Sequence, residues 1–266
     1  MRRHWLAGVA FACVTLVAQA RVELIVTQVG GHAQSAARPL ALLDRLASGD
    51  TIELAAGASL VVFLQAQSRQ WTLAGPGRFR VDADGPAREG SGAALRPDAA
   101  DPAIGQALQR RSQVLAGAIV RGMAGNAADA ADGIERIAPT KPLFRWRARP
   151  HRGHWTFRLR GELGQSVFET RLAQTELALP DTVRLEPGRR YLRELEWFER
   201  DGAVRVETAP VLALGAADDA ELAALRPAPD APLSARVLYA LYLRSLGVRA
   251  LALHVAPELI ETSPVN

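Results

Sequence analysis

The sequence predicts a mainly β protein, with two β-rich units joined by a linker that holds one helix and closed by a short helical segment. Three observations predict it. Short runs of β-branched, aromatic and aliphatic residues recur between Gly, Pro and Asp turns, roughly every 8–12 residues. Within those runs apolar and polar residues alternate, as at Thr51-Ile52-Glu53-Leu54, which puts one face inward and one outward. Helical periodicity becomes dominant only near the end of the chain, where Val237, Leu238, Leu241 and Leu246 form a stripe. A hydrophobic content of 48%, a charged content of 23% and a mean hydropathy of zero describe a folded, turn-rich protein rather than a disordered or fibrous one.

Residues 1–20 read as a secretory signal peptide. Arg2 and Arg3 supply a positive start, Trp5 to Ala18 an apolar run, and Ala18-Gln19-Ala20 a small-residue cleavage site. The run falls short of the ~20 residues needed to span a bilayer. Cys13, the only cysteine, lies inside it. The mature chain is therefore expected to have no disulfide and no thiolate chemistry. Ala10 before Cys13 and Val14 to Val17 after it do not suit lipidation. Export to the periplasm follows, with no transmembrane span in the mature chain.

Residues 21–86 form the first β unit, with strands at Val22–Val26, Thr51–Leu54, Leu60–Leu64, Trp71–Leu73 and Phe79–Val81. Turns fall at Gly49-Asp50, Gly57, Ser68, Gly75-Pro76-Gly77 and Asp84-Gly85. The stretch Gly49 to Leu54, the strand Leu60–Leu64 and the run Trp71 to Val81, with its Gly75-Pro76-Gly77-Arg78-Phe79 turn, resemble a FecR-type periplasmic domain. In the family's namesake this domain passes a signal from an outer-membrane transporter to a cytoplasmic sigma factor. The resemblance implies an envelope binding or scaffolding role and a place in an envelope signalling system.

Residues 87–133 are expected to link the two units. Arg88 to Pro102 is rich in Gly, Ala, Pro and Asp and reads as a flexible connection. Asp101-Pro102 supplies an N-cap and a first-turn proline for a helix to about Ser112. Residues 113–121 fit strand or helix equally, and Asn126 to Asp132 reads as loop.

Residues 134–214 form the second β unit. Phe144 and Trp146 alternate with Arg145 and Arg147, and Trp155, Phe157 and Leu159 alternate with Thr156, Arg158 and Arg160. Further strands are expected at Ser166–Arg171, Thr182–Leu185, Tyr191–Phe198 and Ala203–Thr208, enough for an immunoglobulin-like sandwich. The run Leu185-Glu186-Pro187-Gly188-Arg189-Arg190-Tyr191 resembles the turn before strand F of fibronectin type III domains. That resemblance makes Leu185, Pro187, Gly188 and Tyr191 a structural corner, in which the tyrosine hydroxyl bonds back to upstream backbone. Residues 215–266 are helical, with helices at Asp218–Leu225, Leu233–Leu246 and Val248–Val255, read as a lid on the sandwich.

The sequence offers little chemistry. It contains no Gly-x-Ser-x-Gly elbow, phosphate-binding loop or His-Glu-x-x-His pair. The close histidines His151 and His154 lie among Arg147, Arg149 and Arg152, where a dication would be repelled. No catalytic residue, metal ligand or cofactor is therefore expected. Lys141 is the sole lysine, and a net charge of about +2 without Arg2 and Arg3 does not suit nucleic-acid binding, which needs a clustered basic face. Arg145, Arg147, Arg149, His151 and Arg152 are the candidate interaction surface. The period of two puts Arg145, Arg147 and Arg149 on one side of a strand, free either to dock an acidic partner or to pair with neighbouring glutamates. The reading is an exported, non-enzymatic module whose partner is another envelope protein of unknown identity. The alternatives are an envelope hydrolase and a direct binder of anionic glycan or lipopolysaccharide.

Overall fold

The computed structural model describes residues 23–90, 95–98, 103–111 and 134–260. The signal segment, Asp101-Pro102, residues 113–121 and the loop Asn126 to Asp132 lie outside the described residues. The described chain is mainly β, in the sandwich class. No described helix is long and apolar enough to cross a membrane.

The first unit comprises β1 (Glu23–Gly30), β2 (Ala33–Ser35), β3 (Arg38–Pro39), β4 (Arg45–Ala47), β5 (Thr51–Leu54), β6 (Ser59–Leu64), β7 (Arg69–Ala74), β8 (Gly77–Asp82) and β9 (Gly85–Arg88). Two antiparallel sheets form, in the orders β4-β1-β6-β7 and β3-β2-β5-β8-β9. Alternation fills the space between them: Ile52 and Leu54 from β5, and Phe79 and Val81 from β8, meet Leu24, Leu60, Val62 and Trp71. Strand β6 is apolar on both faces. Its Leu60, Val62 and Leu64 enter this core, while Phe63 points the other way into a helical core. The connection expected to be flexible is tied down where it is described. Asp98 bridges Gln70, Thr72 Oγ1 donates to Asp98 at 2.6 Å, and Trp71 Nε1 donates to the Leu95 carbonyl at 3.2 Å. The indole N–H of the buried Trp71 and the edge strand β7 each gain a partner there, which outweighs the loop-like composition.

The second unit comprises β10 (Glu135–Ile137), β11 (Leu143–Arg145), β12 (Arg152–Gly161), β13 (Ser166–Leu172), β14 (Glu176–Ala178), β15 (Arg190–Phe198) and β16 (Val204–Ala213). Five strands form one sheet, β10-β16-β15-β12-β13, and β11-β14 form a two-stranded sheet; the pair β10/β16 is parallel. Phe144, Trp155, Phe157, Leu195 and Trp197 occupy the core. The ring centroids of Trp155 and Trp197 lie 5.2 Å apart, and those of Phe144 and Phe157 lie 4.9 Å apart, within the range of favourable aromatic pairs. The strand expected at Thr182–Leu185 is absent. Those residues are irregular, with Leu185 plugged into the core and Val183 packed against it.

Helix α1 covers residues 103–111, and α2 (Ala216–Ala224), α3 (Leu233–Ser245) and α4 (Arg249–Val255) follow the second unit. Asp218 and Asp219 in the first turn of α2 complement its dipole. Helix α3 ends in a Schellman motif: the Val248 N–H donates to the Leu243 carbonyl and the Gly247 N–H to that of Arg244, with Gly247 at φ 83°. The helices enclose Ile104, Leu108, Leu222, Val237, Tyr239 and Leu243. Phe63 of the first unit and Ala138 and Leu143 of the second join that core, and Leu42 and Leu43 flank it. The tail read as a lid on the sandwich is thus an apolar layer shared by both β units.

Candidate functional site

The expected arginine surface does not form as one face. Strand β11 ends at Arg145 and residues 146–151 are irregular, so the period of two does not extend to Arg147 and Arg149. Arg145 Nε lies 3.9 Å from Glu176, and Arg149 bonds Glu207 at 3.0 Å with its guanidinium 5.4 Å from the Trp197 ring centroid. The His151 ring lies tilted against Trp155, with centroids 4.7 Å apart, and its Nδ1 donates to the Arg149 carbonyl at 2.9 Å. His151 is half-buried. Arg147 and Arg152 are exposed, with no ion pair among the described residues.

On the outer face of the five-stranded sheet, arginine and glutamate pair across strands. Arg158 bonds Glu196 at 2.7 Å and Glu169 at 3.1 Å, and Arg160 bonds Glu194 at 3.0 Å. Arg193 points inward, 6% exposed, with its guanidinium 3.4 Å from Glu135 and 3.1 Å from Glu207. Burial pushes the Glu135 carboxyl above the ordinary carboxylate range, with Arg193 opposing that shift and Glu207 adding to it.

At the corner, the Glu186 N–H donates to the Tyr191 hydroxyl at 2.8 Å. Gly188 takes φ 76°, which a side chain would strain, and its N–H donates to the Ala213 and Leu214 carbonyls. Leu185 anchors the loop in the core and Pro187 faces a cleft.

That cleft, of about 1200 Å³, lies between the second β unit and the helical layer. One wall is the turn before β11, strand β14 and the loop that leads to the corner. The other is the loop after α2 together with α4. Pro139, Pro142, Pro180, Pro187, Pro227 and Pro229 stiffen its rim. Half of its ionisable side chains are held by the protein itself. His254 Nδ1 lies 3.0 Å from Glu176, and Arg236 bonds Glu258 and the Val255 carbonyl at 3.2 Å each. Asp219, 5% exposed, accepts from Thr140 Oγ1 at 3.0 Å. Burial pushes the Tyr239 hydroxyl above its ordinary range, with Arg226 opposing and Asp219 adding. Lys141, Arg184 and Arg226 are exposed and lie in no ion pair among the described residues.

The His254–Glu176 pair has the form of an oriented base, but a base needs something to activate. Thr140 carries the one side-chain hydroxyl on the lining, and it already donates to Asp219. Among the described residues, no three His, Cys, Asp or Glu side chains gather as metal ligands. Sequence reasoning missed the cleft. The signal available was the paired prolines at 139/142, 180/187 and 227/229, which are far apart in the chain and converge only in the fold.

No protein-family model and no curated protein matches this sequence. Among solved structures, CopC from Methylosinus trichosporium OB3b is similar over 32% of this chain and 86% of CopC, at 16% identity and a TM-score of 0.25. A likeness of that size carries no argument about the cleft.

Proposed function

We propose that the chain is an exported, non-catalytic binding or scaffolding module of the cell envelope, with another envelope protein as its partner. The observation that supports this reading is the proline-rimmed cleft, whose carboxylates Glu176 and Asp219 and hydroxyl Thr140 are engaged internally. A site built this way presents shape and charge to a ligand, and its His254–Glu176 pair has, among the described residues, no free hydroxyl or thiol beside it to activate. The three-part signal at residues 1–20 and the FecR resemblance of residues 49–81 support a periplasmic setting. Participation in envelope signalling is the extension of that resemblance.

A photo-crosslinking amino acid at Ala228, in the cleft, tests the reading in living cells against the same group at Thr208 on the outer sheet face. A discrete envelope protein captured from Ala228 and absent from Thr208 is expected. No capture from Ala228, or equal capture from both positions, would overturn it.

A further inference from the structure

The geometry points to the kind of partner segment the cleft takes: an extended peptide in which carboxylate and apolar side chains alternate, selected by Lys141, Arg184 and Arg226. The inference rests on the binding-module reading above and deepens it. The three cations come from separate segments, namely the turn before β11, the loop after β14 and the loop after α2, and all face one cavity. Each is exposed and outside any ion pair among the described residues, whereas Arg236 and His254 on the same lining have acidic partners. Asp181 is the one lining carboxylate without a described partner, which leaves the free charge of the cleft positive. Cations brought from separate segments to one cavity add their fields there, so an anionic ligand gains from all of them together.

The floor of the cleft adds the second half of the specificity. Leu143, Leu179, Val183, Leu185 and Leu251 make it apolar. A volume of about 1200 Å³ exceeds the range of roughly 300–1,000 Å³ common for small-molecule sites. The ligand must therefore be long, partly apolar and acidic. An anionic glycan fits poorly, because among the described residues no Phe, Tyr or Trp ring lines the cleft to stack on sugar faces and the one lining hydroxyl is already committed. The proline rim, without N–H groups, leaves selection to side chains, and its rigidity lowers the ordering cost of binding.

Lys141 gives the test an unusual handle, since it is the only lysine in the chain. The probe is an octapeptide alternating glutamate with leucine, acetylated at its N-terminus, amidated at its C-terminus and carrying a fluorophore. Anisotropy with the purified exported chain is expected to show binding that weakens with salt, and about tenfold weaker binding of the glutamine analogue. A carbodiimide then activates a peptide carboxylate; the Lys141 amine attacks the activated carbonyl, a urea leaves, and one amide bond joins peptide to protein. The adduct is expected at Lys141 and strongly reduced in Arg184→Glu. The double variant Lys141→Glu/Arg184→Glu, which changes only exposed side chains, is expected to lose about tenfold or more in affinity at an unchanged melting temperature. Arg226→Gln, milder because Arg226 neighbours Asp219 and Tyr239, serves as an independent third substitution with the same direction of effect.

Equal binding of the glutamate and glutamine peptides, or no binding of either, would overturn the acidic-peptide inference. Tighter binding of an oligogalacturonate would replace it with an anionic glycan. The two levels fail separately. Capture from Ala228 that survives in the folded double variant removes the acidic ligand and keeps the module, whereas no capture from Ala228 in the wild type removes the module itself.

Discussion

Tyr191 and Glu135 show how single side chains tune this molecule in opposite ways. The Tyr191 hydroxyl accepts from the Glu186 N–H at 2.8 Å, in a loop otherwise held by Leu185 and Gly188. Tyr191→Phe keeps the ring and removes that acceptor, and about 1 kcal/mol of stability is expected to go with it, read as a lower midpoint of denaturation. Glu135 works through protonation. Its folded pKa lies above the unfolded one because burial penalises the carboxylate, so its favourable contribution is fully present below the ordinary carboxylate pKa. That contribution is lost as the pH rises through the raised folded value. Glu135→Gln, which mimics the protonated form, is therefore expected to gain stability relative to wild type between pH 4 and pH 7, as measured by denaturant unfolding at both. A relative loss over that window would show that attraction to Arg193 outweighs burial. Glu53 has the reverse sign. Its hydrogen bond from Gln34, and then the charge of Arg78, hold its carboxyl low, so its contribution is present above the ordinary pKa and lost as pH falls.

At the level of elements, alternation was a reliable guide wherever one face of a strand is dry. Ile52 with Leu54, Phe79 with Val81, and Trp155 with Phe157 and Leu159 all point inward as their spacing requires. The short strands β2, β3, β4 and β10, of which all but β2 are edges, carry too few apolar residues to give a period, and neighbouring strands hold them in place. Thr182–Leu185 failed for the opposite reason: its apolar residues Val183 and Leu185 pack against the core from an irregular loop, and no ladder forms. Arg147 and Arg149 failed because β11 stops at Arg145, after which alternation has no pleat to act on. Strand β9 was hidden by Pro86, which an edge strand tolerates where an inner strand does not. Gly85 at its start takes φ 129°, and a Cβ there would lie 2.5 Å from the Trp71 ring. Gly85→Ala is expected to cost on the order of 2 kcal/mol or more, by strain and by displacing a core tryptophan, with the loss visible as a lower melting temperature and altered tryptophan fluorescence.

Across the whole molecule, the organisation is three cores rather than two units and a lid. The sequence stripe Val237, Leu238, Leu241 and Leu246 showed that a helix buries a face, yet nothing local shows what it buries it against. Phe63 looks like any residue of an apolar strand, and only the fold turns it toward the helices. Phe63→Ala is expected to cost roughly 3–5 kcal/mol, as for a large aromatic removed from a core. Because Phe63 belongs to the shared layer, that loss is expected to loosen residues of α3 as well as β6, a spread that hydrogen exchange followed by mass spectrometry would measure. Protection lost in β6 alone would mean the layers behave independently. The cleft was illegible for the same reason as the shared core, since its prolines and its three exposed cations meet only after the layers are assembled. The shared layer also has a consequence in time. A chain made from its N-terminus delivers the first β unit long before α3 and α4 exist. Its sandwich core can close at once, while Phe63, Leu42 and Leu43 must wait for the last-made fifth of the protein. During that interval the half-born chain shows water an apolar face, and so invites a chaperone or an unwanted neighbour. The final helices thus act as a completion signal: until they arrive, neither the first unit's greasy side nor the second unit's cleft has its finished shape.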